Sequence, residues 1–345
     1  MSEQRHHLTS RRQCLRVTLG VAAGLGWSNS GVAASDGARS NLPLLLWRER
    51  ALQGLGTHLH LRAAHVSAPR ADAALDAAIA AIRHVEQQFS LFDPHSALCQ
   101  LNRHGVLRQP HPDFVRLLTL AKQVSAKSQG GFDVTVQPLW QVWQNAKLQG
   151  RLPSAGELRQ ARARVGWQGL DIRPELIRFK KPGMGITMNG IAQGFASDLA
   201  KAALQNHGIE HALIDTGEWN SLGQSPQAAP WRIGVQSPRA ASLLATLNAD
   251  DRAIATTSDA FYRFGVGDRH HHVLDPRTGF SPTELASVTV LAHTCALADA
   301  LTKVMFMGSA REALQLARQW QVDVVTVDKQ GRLQMSAGLQ ALISA

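Results

Sequence analysis

Polar and apolar residues alternate strictly through Thr57-His58-Leu59-His60-Leu61-Arg62, the period-two pattern of a half-buried strand. Between residues 71 and 89, Leu75, Ala78, Ile79, Ile82, Val85 and Phe89 recur at three- and four-residue spacing, which predicts an amphipathic helix. A second helix is expected over residues 112–128, ending before Gly130-Gly131. Residues 150–183 are rich in Arg, Gly and Pro and predict a connection with one short helix. Strands over 176–179 and 185–188 would flank the Lys181-Pro182-Gly183 turn. A helix then opens at Asn189-Gly190 and runs to Asn206-His207, where Gly208 supplies a C-terminal glycine. Beyond it, residues 212–215, 231–236, 253–257, 271–274, 287–291 and 322–328 pattern as short strands, with helices near 296–307 and 310–321. Strands and helices mix without regular alternation, and no repeat recurs at a fixed period. An α+β fold is expected rather than a doubly wound parallel sheet.

The N-terminus stands outside that pattern. Twin arginines, Arg11-Arg12, precede a weakly apolar stretch from Val17 to Trp27, and Val32-Ala33-Ala34 offers a small-residue cleavage site. Residues 1–34 therefore predict an export signal of the twin-arginine type, with 35–45 as a linker, a single domain over 46–345, and a periplasmic destination. Arg5, Arg11, Arg12 and Arg16 against Glu3 account for three of the +10 net charges. The remaining excess is dispersed, with no basic stripe and no interleaved aromatics, which excludes a nucleic-acid-binding reading. No long uncharged apolar run follows residue 34, so no transmembrane helix is expected there. Cys99 and Cys295 lie far apart in sequence, and without Cys-x-x-Cys spacing a zinc ribbon or a thioredoxin-like motif is excluded.

Six segments carry candidate chemistry. In the stretch 188–204, Gly190 and Gly194 bracket a loop-to-helix transition, where uncovered N–H groups suit a phosphate or the glycines simply let a helix pack tightly. In 295–308, Asp299 and Thr302 are three apart on one helix face, a pair of oxygen ligands for Mg²⁺ or an ordinary cap and ion pair. After Gly130-Gly131, Phe132, Val134 and Val136 alternate with Asp133 and Thr135. Residues 215–223 form a glycine-bearing acidic loop, and 89–102 add aromatics and amides. Finally, His270-His271-His272 precede Asp275-Pro276-Arg277-Thr278-Gly279. Successive side chains of an extended segment point to opposite sides, so these histidines do not form a metal site. One of them beside an Asp-Pro turn suits proton transfer better.

Taken in order and spacing, Gly131-Phe132-Asp133-Val134-Thr135, Gly190-Ile191-Ala192-Gln193-Gly194-Phe195 with Asp198, His272 through Gly279, and Ala298-Asp299-Ala300-Leu301 resemble the ApbE family of FAD:protein FMN transferases over roughly residues 45–340. The resemblance implies a two-lobed α+β fold with FAD in its cleft. It implies Mg²⁺-dependent cleavage of FAD, transfer of FMN to a threonine of a partner protein, and release of AMP. The implied acceptors are NosR-, RnfG- or NqrC-like flavoprotein subunits of membrane redox complexes, and the wording around Asn189-Gly190 is similar to the branch serving nitrous-oxide respiration. By position in the motifs, His272 is the implied base. Phe92, Asn102, Gly131, Asp133, Gly190, Gln193, Gly194, Asp198, Gly217, Glu218, Thr256, Asp275 and Thr278 are the implied flavin contacts. The implied metal ligands are Asp299 and the carbonyl of Ala192, with Thr302.

Three positions depart from the family pattern. Lys303 stands where many members have threonine, Gln193 where many have lysine, and Thr256-Thr257-Ser258 replaces a Thr-Ser-Gly stretch. Two other readings use the same residues: an FAD pyrophosphatase with water as nucleophile, and a non-catalytic flavin-binding assembly factor.

Overall fold

The computed structural model describes residues 44–265 and 269–343. The expected export signal and all but the last two residues of the expected linker lie outside them. β1 (Leu46–Gly54) and β2 (Thr57–His65) form a hairpin that pairs Leu46 with His65 and Gly54 with Thr57. The turn places Leu55 and Gly56 at φ 51° and 76°, the left-handed pair that a two-residue hairpin loop demands. The predicted alternation holds in β2, where Leu59, Leu61 and Ala63 are buried. β1 was not expected. It is an exposed edge strand bearing Arg48, Glu49 and Arg50, charges that protect a sheet edge and hide the strand pattern.

α1 (Ala68–Phe89) buries Leu75, Ala78, Ile82, Val85 and Phe89, the predicted stripe. α2 (Ala97–His104), β3 (Val106–Arg108), α3 (Pro112–Lys127), α4 (Gln137–Leu148), α5 (Ala155–Arg162), β4 (Leu170–Arg173) and β5 (Leu176–Phe179) follow, with β3, β5 and β4 forming a small sheet. Next come α6 (Ala192–Asn206), β6 (His211–Asp215), β7 (Trp219–Leu222), and the hairpin of β8 (Arg232–Gln236) with β9 (Leu243–Asn248). The chain finishes with β10 (Ala253–Ser258), β11 (Leu285–Ala292), α7 (Cys295–Phe306), α8 (Ala310–Trp320), β12 (Asp323–Asp328) and β13 (Leu333–Met335).

Among the described residues, eight strands make one antiparallel sheet in the order β1-β2-β6-β7-β10-β11-β12-β13. Side-chain alternation splits it into two packed faces. Ala212, Ile214, Ala255, Val288, Val290 and Val324 join the helix-side core, while Leu213, Ile254, Leu291 and Val325 join Trp219, Trp231 and Ile233 beneath the β8–β9 hairpin. α1 packs on α6, α6 on α7, and α7 lies across β10 and β11. The fold is α+β, as the mixed order of elements predicted.

Two expected strands are not strands, and a third alternating stretch is helical. Residues 185–188 are extended, but their backbone bonds go to a side chain and a loop: Asn102 grips both the N–H and the C=O of Ile186, and Thr187 donates to the Val134 carbonyl. Residues 271–274 make a single bridge, Arg263 with His271, before Asp275 and Pro276 turn the chain. The alternation after Gly131 gives way to a 3-10 turn and α4, because Asp133 caps Thr135 and Pro138 favours a helix start.

Candidate functional site

The crossing of α6 and α7 organises the site. A Cβ at Gly194 would stand 2.3 Å from the Cys295 carbonyl oxygen, so only glycine lets the two helices approach this closely. That approach lets the Gly194 N–H, uncommitted in the first turn of α6, donate to Asp299 Oδ2 at 3.3 Å. Asp198, one turn further along α6, accepts the N–H groups of Cys295 at 2.7 Å and Ala296 at 2.9 Å and thereby caps α7. Both of its oxygens serve the helix crossing, which gives Asp198 a positioning task.

Carboxylates gather around this crossing. Asp299 is fully buried and its Oδ1 is held by the Lys303 ammonium one helical turn away. Glu218, just before β7, is buried beside them and its Oε2 accepts the Thr256 N–H at 2.9 Å. Burial pushes the Glu218 carboxyl well above its ordinary 4.5, and the charge of Asp299 adds to that push while Lys303 opposes it. Asp215 is driven up to about 6 by burial, against the N–H of Gly217 that it accepts at 2.9 Å. Gly217 has φ 90°, and a Cβ there would sit 2.9 Å from Gln193 Nε2. Thr216 donates to the Gln193 carbonyl at 3.2 Å. Gly190 closes the group, its missing Cβ facing Lys303 Cε and Phe132 Cε2 at 3.3 Å each.

The structure thus brings together Gly190, Ala192, Gln193, Gly194, Gly217, Glu218, Thr256 and Asp299 of the expected residues. Asp215 and the Lys303–Asp299 pairing were not anticipated, and the Asp-Thr-Gly wording after a strand was the available signal for Asp215. Ala192 is the first residue of α6, just after the Ile191 carbonyl that accepts the Phe195 N–H at 3.0 Å. The Thr302 hydroxyl donates to the Asp299 carbonyl at 2.6 Å and lies 2.7 Å from the Thr257 hydroxyl, which commits it to the contact between α7 and β10.

β10 also leads to the histidines. It carries Thr256 and Thr257 at the acidic cluster, and the loop after it carries Phe261. The Phe261 carbonyl lies 3.1 Å from His272 Nδ1. A carbonyl only accepts, so Nδ1 bears the proton and the basic lone pair of a neutral His272 is at Nε2. His271 is fully buried against Phe306, and burial lowers it to about 4. His270 packs on Trp143 with ring centroids 4.8 Å apart. The three histidines therefore face three environments, and His272 is the oriented, half-buried one.

The remaining expected contacts are placed elsewhere. Asn102 is committed to Ile186 as described, which is a structural clamp. Asp133 is buried, bonded to Thr135 and to the Trp167 N–H at 3.0 Å, and burial raises its carboxyl above its ordinary 3.8. Asp275 accepts the N–H and guanidinium of Arg277, and Thr278 caps Phe280. Asp133, Gly130, Trp167, Pro276 and Arg277 line one hollow of about 530 Å³. Gly131 lies beside that hollow, and Phe132 connects it to Gly190. Phe92 is 71% exposed. Cys99 and Cys295 are free thiols, the second fully buried.

An antiparallel sheet under a helix layer, with buried carboxylates at the crossing of α6 and α7, defines an α+β protein. The ApbE family model matches residues 55–326, and the chain belongs to the ApbE family. A Vibrio cholerae serotype O1 protein named FAD:protein FMN transferase is 30% identical over 260 residues, covering 72% of this chain and 77% of its own length. An Escherichia coli K12 protein of the same name is 27% identical over 262 residues, covering 71% and 74%. The fold is shared with the ApbE protein of Thermotoga maritima, at TM-score 0.78, 24% identity and coverage of 87% of this chain and 100% of that one. It is shared as well with the Pseudomonas stutzeri flavinyl transferase ApbE in its apo form, at TM-score 0.76, 25% identity and coverage of 87% and 98%.

Proposed function

We infer that the chain is an FAD:protein FMN transferase. The observation that carries this reading is the close packing of Gly194 on Asp299, of Gly190 on Lys303 and of Gly217 on Gln193, with Glu218 buried near Asp299, in a chain whose family match spans that whole constellation. FAD is the substrate. The bond between the FMN phosphorus and the oxygen it shares with AMP breaks. A threonine Oγ of an acceptor protein bonds to that phosphorus, and AMP departs with the bridging oxygen.

A threonine hydroxyl is a weak nucleophile until a base takes its proton. His272 fills that role, with Nδ1–H fixed on the Phe261 carbonyl and Nε2 receiving the proton. At the opening of α6 the Ala192 N–H is held by the Met188 carbonyl and the Gly194 N–H by Asp299, and the tight turn at Gly217 gives close access for the backbone. The residues also fit Mg²⁺. Glu218 lies near both Asp299 and Asp215, Lys303 pairs with Asp299, and oxygen donors of this kind suit a hard divalent cation. Asp299 and Glu218 would hold it, with the Ala192 carbonyl, and it would neutralise charge on the pyrophosphate.

The acceptor we propose is a NosR-, RnfG- or NqrC-like flavoprotein subunit of a membrane redox complex, met in the periplasm after export by the twin-arginine route. Among the described residues no helix is long and apolar enough to cross a membrane. Quantifying AMP tests the reading. FAD with the acceptor should yield AMP one for one with modified acceptor, and EDTA should abolish it. AMP formed equally well without acceptor would make the protein a pyrophosphatase.

A further inference from the structure

Among the described residues, one group of three metal-binding side chains converges away from the α6–α7 crossing: His84, His111 and Asp113. His84 stands on α1 near its C-terminal end. His111 is the residue before α3, and Asp113 lies in the first turn of α3. One ligand atom from each lies within 4.8 Å of the others. Asp113 Oδ2 is the shared focus, 3.3 Å from His84 Nε2 and 3.6 Å from His111 Nδ1.

Ligands about 2.0–2.1 Å from a tetrahedral ion stand roughly 3.4 Å apart. Those two separations are therefore close to the edges of a coordination tetrahedron. His84 Nε2 is buried yet makes no hydrogen bond, although the carboxylate is close; it points beside the oxygen rather than onto it. The second oxygen, Asp113 Oδ1, is held 3.2 Å from Arg116, whose guanidinium lies over the Phe195 ring at 4.8 Å. An outer partner that fixes a carboxylate while leaving its other oxygen available is the usual support for a ligating residue. The two imidazole rings, 4.3 Å apart at 61°, restrict each other. His111 Nδ1 also accepts the Asp113 N–H at 3.2 Å, and ligation would exchange that cap bond for a metal bond.

We propose that His84, His111 and Asp113 bind a divalent transition ion, with Zn²⁺ as the reference and water completing four-coordination. Two imidazoles and one carboxylate suit Zn²⁺ far better than Mg²⁺, so this site is chemically distinct from the all-oxygen cluster at Asp299. The ion would staple α1 to the start of α3. Those helices already meet through Phe89 and Phe114, centroids 4.8 Å apart, and Phe89 also packs on Phe195 beside Gly194.

The test uses the full chain without an affinity tag, stripped with chelator and then titrated with Zn²⁺ by calorimetry and with Co²⁺ by visible absorption. The wild-type chain and Asp299→Asn should each bind one ion here, unaffected by excess Mg²⁺. His84→Gln and Asp113→Asn should each weaken binding at least on the order of 10–100-fold, the cost of disturbing even a residue that supports a ligand. The melting temperature should rise with Zn²⁺ in the wild type and not in His84→Gln. His84 is a partly exposed surface residue, so that variant keeps its fold, which circular dichroism checks. No Zn²⁺ binding by the wild type, equal binding by His84→Gln, or loss of binding in Asp299→Asn would each overturn the proposal.

Discussion

Asp215 shows how a single carboxyl at the site couples chemistry to stability. Burial carries it from 3.8 to about 6, so the folded protein favours its protonated form. Its contribution is fully present below 3.8, in the unfolded range, and is lost as pH rises towards 6. Asp215→Asn keeps an oxygen for the Gly217 N–H and removes the charge. Urea unfolding should find this variant about 1–2 kcal/mol more stable than wild type near neutral pH, allowing for the solvent that reaches a half-buried group, with the two converging in acid. A flat difference across pH would contradict the assignment. Lys303 works the other way. Lys303→Met strands Asp299 and Glu218 without their ammonium, and removing one partner of a buried pair costs about 3–5 kcal/mol. The double variant with Asp299→Asn should recover much of that loss in a thermodynamic cycle.

At the scale of elements, the closeness of α6 and α7 sets the site. Gly194→Ala puts a methyl group 2.3 Å from the Cys295 carbonyl and 2.8 Å from the Ala296 nitrogen, backbone atoms that cannot rotate aside. The variant should lose about 3 kcal/mol or more and its FAD affinity, while its far-UV circular dichroism stays native. Unchanged FAD binding would show that the crossing does not form the site. This crossing was half legible in the sequence. The glycine spacing and Asp299 could be read directly, because a helix start and a buried carboxylate leave local marks. The partnership of Asp299 with Glu218 and Asp215 was not legible, since residues some eighty positions apart meet only through sheet order. Among the elements, α1 and β2 were visible as periodic apolar stripes. β1 was masked by the charges of an edge strand, and the extended segments 185–188 and 271–274 looked like strands because their backbone partners are side chains and loops rather than a ladder. The grip of Asn102 on Ile186, 84 residues away, was hidden for a similar reason.

For the whole molecule, β10 is the element that joins the two halves of the proposed chemistry. Its threonines touch the carboxylate cluster, and the loop it feeds orients His272. The helices and the β8–β9 hairpin cover opposite faces of the sheet, so the site sits on a surface that is supported from behind. The central claim is covalent transfer of FMN to threonine with His272 as the base. The most direct measurement is mass spectrometry of an acceptor domain bearing a Ser/Thr-Gly-Ala-Thr-like motif after incubation with the protein, FAD and Mg²⁺. The account predicts one FMN on the motif threonine, absent with His272→Ala and absent when that threonine is replaced by valine. FMN found on the acceptor at full yield with His272→Ala, or an unmodified threonine beside released AMP, would contradict it.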